Sequence, residues 1–395
     1  MKKGPQLCVI VFPLRSDAYE CGQLFVTKFI QILSPLSSMI TLITGNYHSN
    51  DIPVNVFIKN IYSPEVKSFH ESVASKIYRL ILAQITISVV LIQMRKEIDI
   101  LLLFFSHGFL FIPSFLGWVL KKKIIVVTTG SFSKSTESLY SFPWGRIFYL
   151  AVRSIEKLNY SLANIITVDS DKMINELDLH KYINKISTNS PSNFLDIEKF
   201  KIKQSFSKRK NVIGYVGRLS AEKGVMELSE AIPLIISRGN QIEFLIVGDG
   251  PLRTSMEEII EKNKCMDMVT FAGWVPYESI PDFLNKMRFH ILPSHTEAIG
   301  SSNIEAIACG VIPIINNVGA LPGYVVIDKS TGFVLENNLP ETIVNKFDQI
   351  WMYSETDLEA IQKRGINLML DNYTYDRVSE KWQKVLKETF EMRRG

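Results

Sequence analysis

Short, uninterrupted apolar runs constrain this chain more than any other feature. Leu7-Cys8-Val9-Ile10-Val11-Phe12, Ile124–Thr128 and Ile165–Val168 lie in its first half. Val212–Val216, Ile242–Val247, Phe289–Leu292 and Ile312–Ile315 lie in its second. A strand with one wet face alternates apolar and polar residues, whereas a strand covered on both faces does not. Between the runs, Leu24–Leu33, Ser154–Ala163, Val225–Ser237 and Leu252–Lys262 read as helices. Strand alternating with helix predicts an α/β chain with doubly wound parallel sheets. The alternation runs twice, broken by the loop Ser187–Asn193 and the polar, lysine-rich stretch Asp196–Lys210. With 395 residues there is enough chain for two full cores. The expectation is two Rossmann-like domains, 1–190 and 205–375, with an amphipathic final helix (about 376–395) packing back on the first.

The charge is uneven. Residues 1–190 hold 20 Lys/Arg against 13 Asp/Glu, and residues 191–395 hold 24 against 27. A basic first half suits an anionic surface or substrate, or else simply a solvated face. Cys8, Cys21, Cys265 and Cys309 have no paired spacing and read as buried thiols, which fits a reducing cytoplasm. Met1-Lys2-Lys3 is basic, but the apolar run after it stops at Pro13-Leu14-Arg15, so no signal peptide is expected.

Two uncharged stretches raise the question of a membrane: Leu80–Met94, 15 residues, and Ile100–Leu120, 21 residues, followed by Lys121-Lys122-Lys123. The second is just long enough to span. It is broken by Ser106-His107-Gly108, Pro113 and Gly117, and it divides into a strand (Asp99–Phe105), a loop and a helix (Phe111–Leu120) before the next strand. A βαβ unit is the expected outcome, with peripheral docking on an anionic membrane as its competitor, because aromatics crowd beside lysines here.

The residues that bear chemistry stand at strand ends. Gly217-Arg218-Leu219-Ser220-Ala221-Glu222-Lys223-Gly224 follows one strand, Gly248-Asp249-Gly250-Pro251 the next, and Gly273-Trp274-Val275-Pro276 a third. After a fourth comes Ser294–Gly310, S-H-T-E-A-I-G-S-S-N-I-E-A-I-A-C-G, in which seven residues separate Glu297 from Glu305. A helix beginning near Gly300 aims its first amides at the turn, a natural seat for phosphate. Arg218 and Lys223 can neutralise a diphosphate, one as a planar fork and the other as a movable point charge. Taken singly, each loop could equally be solvated and structural.

Together, and in this order, the motifs resemble the "group 1" transferases of glycosyltransferase family 4, strongly over about 210–335 and more loosely in the first half. The resemblance implies a GT-B fold, two Rossmann-like domains facing a cleft, the first on the acceptor side and the second binding a nucleotide-sugar donor. It implies that Arg218 and Lys223 hold the donor diphosphate and that Glu297 lies against the sugar hydroxyls. Glu305 would accept from the ribose hydroxyls. Backbone amides of Ile299, Gly300 and Ser301 would contact phosphate or sugar, with Gly217 allowing close approach. Val275 and the Gly248–Gly250 turn would lie near the base, and Gly22 would approach the diphosphate from the other domain. It further implies retaining transfer with no cofactor and no obligatory metal, and no nucleic-acid partner. The basic, aromatic-rich first half points in addition to a glycan or lipid-linked acceptor, met in the cytoplasm or at the inner face of the membrane.

The chain also departs from the family. Relatives usually follow the first glutamate with Gly-Phe-Gly, where this chain has Ala298-Ile299-Gly300. Cys21-Gly22 stands where many carry paired glycines, Thr128-Thr129-Gly130 where many carry a histidine, and Gly323 where many carry a glutamate. Two alternatives stay open: an epimerase or hydrolase of nucleotide sugars, for which Asp17, Glu20 and His107 are the candidate acid-base groups, and a non-catalytic nucleotide-sugar-binding subunit.

Overall fold

A computed structural model describes residues 4–11, 19–45, 47, 49, 51–61, 73–130, 133, 144–188, 190–239, 241–297, 300–319 and 321–392. The chain forms two compact units: Met1–Phe194 with Asp376–Gly395, and Leu195–Tyr375.

The first unit runs β1 (Gln6–Val11), α1 (Tyr19–Leu33), β2 (Met39–Thr44), β3 (Val56–Asn60), α2 (Val73–Gln93), β4 (Ile100–Phe104), α3 (Ile112–Val119), β5 (Lys123–Thr128), α4 (Trp144–Leu162), β6 (Ile165–Val168), α5 (Lys172–Glu176) and β7 (Ile186–Ser187). Its strands are parallel, in the order β3-β2-β1-β4-β5-β6-β7. The connection β1–α1–β2 steps one way across this sheet, whereas β3–α2–β4, β4–α3–β5 and β5–α4–β6 step the other way. Right-handed crossovers therefore put α1 on one face and α2, α3 and α4 on the opposite face. α2 and α3 lie side by side: the Gln84 side-chain oxygen accepts from the amides of Phe111 and Ile112 at 2.9 and 3.0 Å, capping the start of α3.

The second unit runs β8 (Val212–Val216), α6 (Val225–Ile236), β9 (Glu243–Val247), α7 (Arg253–Lys262), β10 (Val269–Gly273), α8 (Ile280–Leu284), β11 (Phe289–Leu292), α9 (Ser301–Ala308), β12 (Ile312–Asn316), β13 (Phe333–Leu335), α10 (Pro340–Ile350) and α11 (Glu355–Tyr373). Its parallel order is β10-β9-β8-β11-β12-β13. From β8 the chain winds outward to β10 and then returns to β11 on the other side of β8. Loops leaving β8 and β11 thus diverge at adjacent strand ends, and in open α/β sheets such a switch point opens a ligand crevice.

The last helix, α12 (Tyr375–Glu391), belongs to the first unit. Trp382 is wholly buried, its ring centroid 4.8 Å from that of Phe29, and its indole N–H donates to the Pro191 carbonyl at 2.8 Å.

Helix starts differ most from the sequence reading. The helix read as Leu24–Leu33 begins at Tyr19, so Gly22 sits in the first turn of α1. Asp17 lies outside the described residues, as does the Glu20 side chain. The helix read from Ser154 starts at Trp144, and Leu80–Gln93 is part of the longer α2. Residues 100–128 form the expected βαβ unit, and among the described residues no helix is long and apolar enough to cross a membrane.

Candidate functional site

The switch point of the second unit is held by backbone contacts that only glycine permits. A Cβ on Gly224 (φ 67°) would fall 2.0 Å from the Pro293 carbonyl oxygen, so the loops after β8 and β11 meet there main chain to main chain. The amide of His295 reinforces this by donating to the Glu222 carbonyl at 2.9 Å. On the other side the β8 loop is stapled to the β9 loop: Gly217 N–H donates to Val247 and Leu219 N–H to Asp249, both at 3.0 Å. A Cβ on Gly248 (φ 134°) would lie 1.9 Å from the Gly217 carbonyl oxygen, and one on Gly250 would lie 2.4 Å from that of Leu219. These two glycines are thus required by a neighbouring loop, whether or not a ligand is present. Val275 follows β10, whose Gly273 carbonyl accepts from the Gly248 amide at 2.8 Å, so the three loops continue along one sheet edge.

On this frame Lys223 Nζ and Glu297 Oε2 form an ion pair of 2.6 Å, with the side chains 25% and 11% exposed. Ser294 Oγ also donates to Glu297 Oε2, at 3.3 Å, and the Asn316 amide holds the Ser294 carbonyl at 2.9 Å. Arg218 is partly buried on the same loop, and its carbonyl accepts from the Tyr215 hydroxyl at 2.7 Å. Burial raises the Glu222 carboxyl, but the Ser220 hydroxyl, a backbone amide and the cations of Arg218 and Lys223 outweigh it, leaving the pKa below its usual value. Cationic charge therefore gathers on the β8 loop beside the start of α9.

Gly300 caps α9 in the left-handed region (φ 61°, ψ 73°) and offers no side chain to the first amides of the helix. Such an end favours an anion. Glu305, one turn along, is 9% exposed, and its Oε1 accepts from the Tyr277 hydroxyl at 2.8 Å. Tyr277 also carries the Lys199 ammonium over its ring, 4.8 Å from the centroid. Burial, followed by the Glu305 charge, pushes the Tyr277 hydroxyl far above its ordinary pKa, which keeps it a donor.

His290 is a site residue that the sequence reading passed over as strand. Its Nε2 accepts from the Val216 amide at 3.2 Å, which leaves Nδ1 to donate to Asn303 Oδ1 at 2.9 Å. The ring ties the end of β8 to α9, and burial lowers its pKa to about 4, against weaker opposing effects of Asn303 and the Val216 amide. Tyr277 gave no sequence signal because its partner, Glu305, lies 28 residues away. A histidine inside an otherwise apolar strand was the one available signal for His290.

The structure therefore gathers Gly217, Arg218, Lys223, Gly248, Gly250, Val275, Glu297, Gly300, Ser301 and Glu305 along the C-terminal edge of one sheet. Ile299 lies outside the described residues, and Gly22 belongs to the other unit. His107, the acid-base candidate in that unit, is wholly buried, and desolvation lowers its pKa to about 3, so it stays neutral. Asp169-Ser170-Asp171 is a pair of carboxylates at D-x-D spacing, but Asp169 is buried and desolvation raises its pKa to about 8, so at neutral pH it is largely protonated. A cavity of about 320 Å³ near the ends of β12 and β13 carries Asp328 and Glu336 and no basic residue in its lining, which does not suit a diphosphate.

Residues 196–368 match the family model described as "Glycosyl transferases group 1". The second unit is similar to group 1 glycosyl transferases over nearly its whole length. The phosphatidylinositol N-acetylglucosaminyltransferase GPI3 subunit of Saccharomyces cerevisiae is 29% identical over 197 residues, which is 48% of this chain and 40% of that protein. The capsular polysaccharide biosynthesis glycosyltransferase CapM of Staphylococcus aureus is 29% identical over 214 residues, 50% of this chain and 54% of that one. The chain thus spans about half the length, or less, of these curated relatives. Sucrose-phosphate synthase from Thermosynechococcus elongatus superposes with a TM-score of 0.75 at 16% identity, covering 97% of this chain and 98% of that one. That likeness establishes a GT-B fold, with the group 1 domain as its second half.

Proposed function

We propose that the chain is a retaining glycosyltransferase that takes a sugar from a nucleoside-diphosphate sugar. The observation that carries this reading is the Lys223–Glu297 pair, set where the β8 and β11 loops meet beside the start of α9, where Gly300 supplies no side-chain cap. A diphosphate arriving at that helix end would compete for Lys223 and release Glu297. The freed carboxylate is then an acceptor for hydroxyls of the donor sugar. Arg218, Lys223 and the α9 amides offset the charge that grows on the diphosphate as its bond to the anomeric carbon breaks. The acceptor hydroxyl bonds to that carbon on the face the diphosphate leaves, and its proton passes to the departing phosphate oxygen. Glu305, oriented by Tyr277, takes the ribose hydroxyls. The Gly248–Gly250 turn and the Val275 backbone flank the base, and no metal is needed.

The acceptor in this reading is a glycan or lipid-linked molecule, met on the cytoplasmic side in cell-envelope polysaccharide or glycoconjugate synthesis, with the first unit as the acceptor-side domain. The relatives' names, one acting on phosphatidylinositol and one in capsular polysaccharide, support that class. The buried, neutral His107 removes one of the acid-base groups that an epimerase reading needs. The test is turnover of labelled nucleotide sugars with and without acceptor extract and with and without chelator. Acceptor-dependent transfer with retained anomeric configuration, unaffected by chelator, is expected. Acceptor-free conversion to an epimer, or binding without turnover, would replace the reading with one of its two competitors. Activity lost to chelator and restored by Mg²⁺ would overturn the metal-free step.

A further inference from the structure

The hydrogen bonds that run from Val216 through His290 to Asn303 end on an unused donor. A backbone amide can only donate, so the Val216 N–H makes His290 Nε2 the acceptor and puts the imidazole proton on Nδ1. That proton goes to Asn303 Oδ1 at 2.9 Å. The Asn303 side chain is thereby set with its Nδ2 turned away from the ring. Both residues are fully buried, and Asn303 Nδ2 finds no hydrogen-bond partner among the described residues. A buried donor without an acceptor is costly, and native chains keep few of them. Three residues in series therefore aim one amide nitrogen at a place where nothing accepts from it.

Gly300 shows where that nitrogen is aimed. The carbon that any other residue would place there would lie 2.9 Å from Asn303 Nδ2, 3.3 Å from Glu297 Cγ and 3.0 Å from Leu321 Cδ2. Asn303 and Glu297 therefore border one gap that glycine leaves open. The Leu321 methyl closes its third side and competes for no hydrogen bond. Across this gap the Glu297 carboxylate has an oxygen to offer, because its bonds to Lys223 and Ser294 both fall on Oε2. Its side chain is only 11% exposed. A carboxylate so covered that loses its cation keeps a poorly compensated charge unless another donor takes over. A diphosphate competing for Lys223 creates that situation, and an amide N–H to a carboxylate is a charge-assisted bond.

We infer that Asn303 is the second partner of Glu297: when a diphosphate takes Lys223, the carboxylate turns across the gap over Gly300 and accepts from Asn303 Nδ2, which holds it for the donor sugar. Asn303 is then a positioning residue, oriented by His290 and acting through Glu297. The inference rests on the donor reading above, and its test separates the two. Full-length wild type, Asn303→Leu, Glu297→Ala and the double variant are titrated by calorimetry with UDP, GDP and ADP. With Glu297 present, Asn303→Leu should weaken the nucleotide that binds by about tenfold, because the released carboxylate has no donor to turn to. With Glu297 already alanine, the same change should alter affinity by less than about twofold. Asn303→Ser repeats the comparison if leucine lowers the unfolding temperature. In nitrogen-15-labelled wild type, the Asn303 side-chain amide signals, assigned by their loss in Asn303→Leu, should shift on nucleotide addition. In Glu297→Ala they should stay in place. A merely structural Asn303 would lower affinity equally in both backgrounds and leave its signals unmoved. Equal losses in the two backgrounds, no loss in either, or amide signals that nucleotide does not move in the wild type would overturn the inference while the donor site stands. A wild type that binds none of the three nucleotides would overturn the donor reading itself, and the release of Glu297 with it.

Discussion

Replacing Gly248 with alanine tests whether the site is a set of interlocked loops. The added Cβ would start 1.9 Å from the Gly217 carbonyl oxygen and 2.9 Å from its carbon. Both contacts are backbone, so no side chain can swing away. Moving the oxygen out to an ordinary contact requires a shift of about 1 Å in the loop that carries Arg218, and overpacking of this kind costs roughly 1–3 kcal/mol. The backbone at φ 134° adds roughly 1–2 kcal/mol for any residue with a Cβ. Together these come to about 2–5 kcal/mol. For a unit of this size, about 2–4 °C of unfolding temperature goes with each kcal/mol, so a drop of about 4–20 °C is expected. Gly239→Ala is the control: its φ is 80°, but nothing lies within 4 Å of the added carbon, so only the dihedral cost of about 1 kcal/mol and a drop of about 3 °C should appear. Scanning calorimetry on both variants, with nucleoside diphosphate binding measured alongside, separates clash from strain. Equal, small drops for the two, with unchanged binding, would refute the argument that Gly248 is needed for the approach of Gly217.

Two further outcomes follow from the same geometry. Tyr277→Phe removes the hydrogen bond that orients Glu305; nucleoside diphosphate affinity should fall about fivefold to thirtyfold, and the preference for ribo over 2′-deoxy nucleotide should shrink with it, a change that packing loss alone would not produce. His290 has a folded-state pKa of about 4, below its unfolded value near 6.5, so the unfolded chain binds a proton first as pH falls. Stability of the second unit is therefore full above about pH 6.5 and declines toward pH 4, by up to about 3 kcal/mol; urea unfolding across this range should show the slope, and His290→Asn should flatten it even if it lowers stability throughout.

The strands were legible because burial on both faces leaves a signature that depends on nothing distant. Val212–Val216 and Phe289–Leu292 are apolar or small almost throughout, and they are wholly buried. Helix starts were less legible. α1 and α4 begin at Tyr19 and Trp144, with no Ser, Thr, Asp or Asn directly before Trp144 to mark the turn. α2 is apolar on both sides, so its periodicity is faint, and it was read only as an uncharged stretch. The motif loops were visible as motifs, but the physical need for their glycines was not. Gly248 and Gly250 read as a turn lying near the base, whereas the structure shows them making room for Gly217 and Leu219, about 30 residues earlier in the chain. Tyr277 and His290 gave little signal because their roles depend on partners on α9. The D-x-D pair at Asp169 shows the converse: spacing suggestive of chemistry, on a carboxyl that burial keeps largely protonated.

The most direct measurement for the central claim is calorimetric titration of the full chain with nucleoside diphosphates, the wild type beside Arg218→Ala, Lys223→Ala and the double variant. If the β8 loop and the start of α9 hold the diphosphate, one nucleoside diphosphate binds the wild type, each single variant weakens it by about tenfold or more, and the double variant abolishes detectable heat. Undiminished binding in the double variant would contradict the account and move the donor away from Lys223 and Glu297.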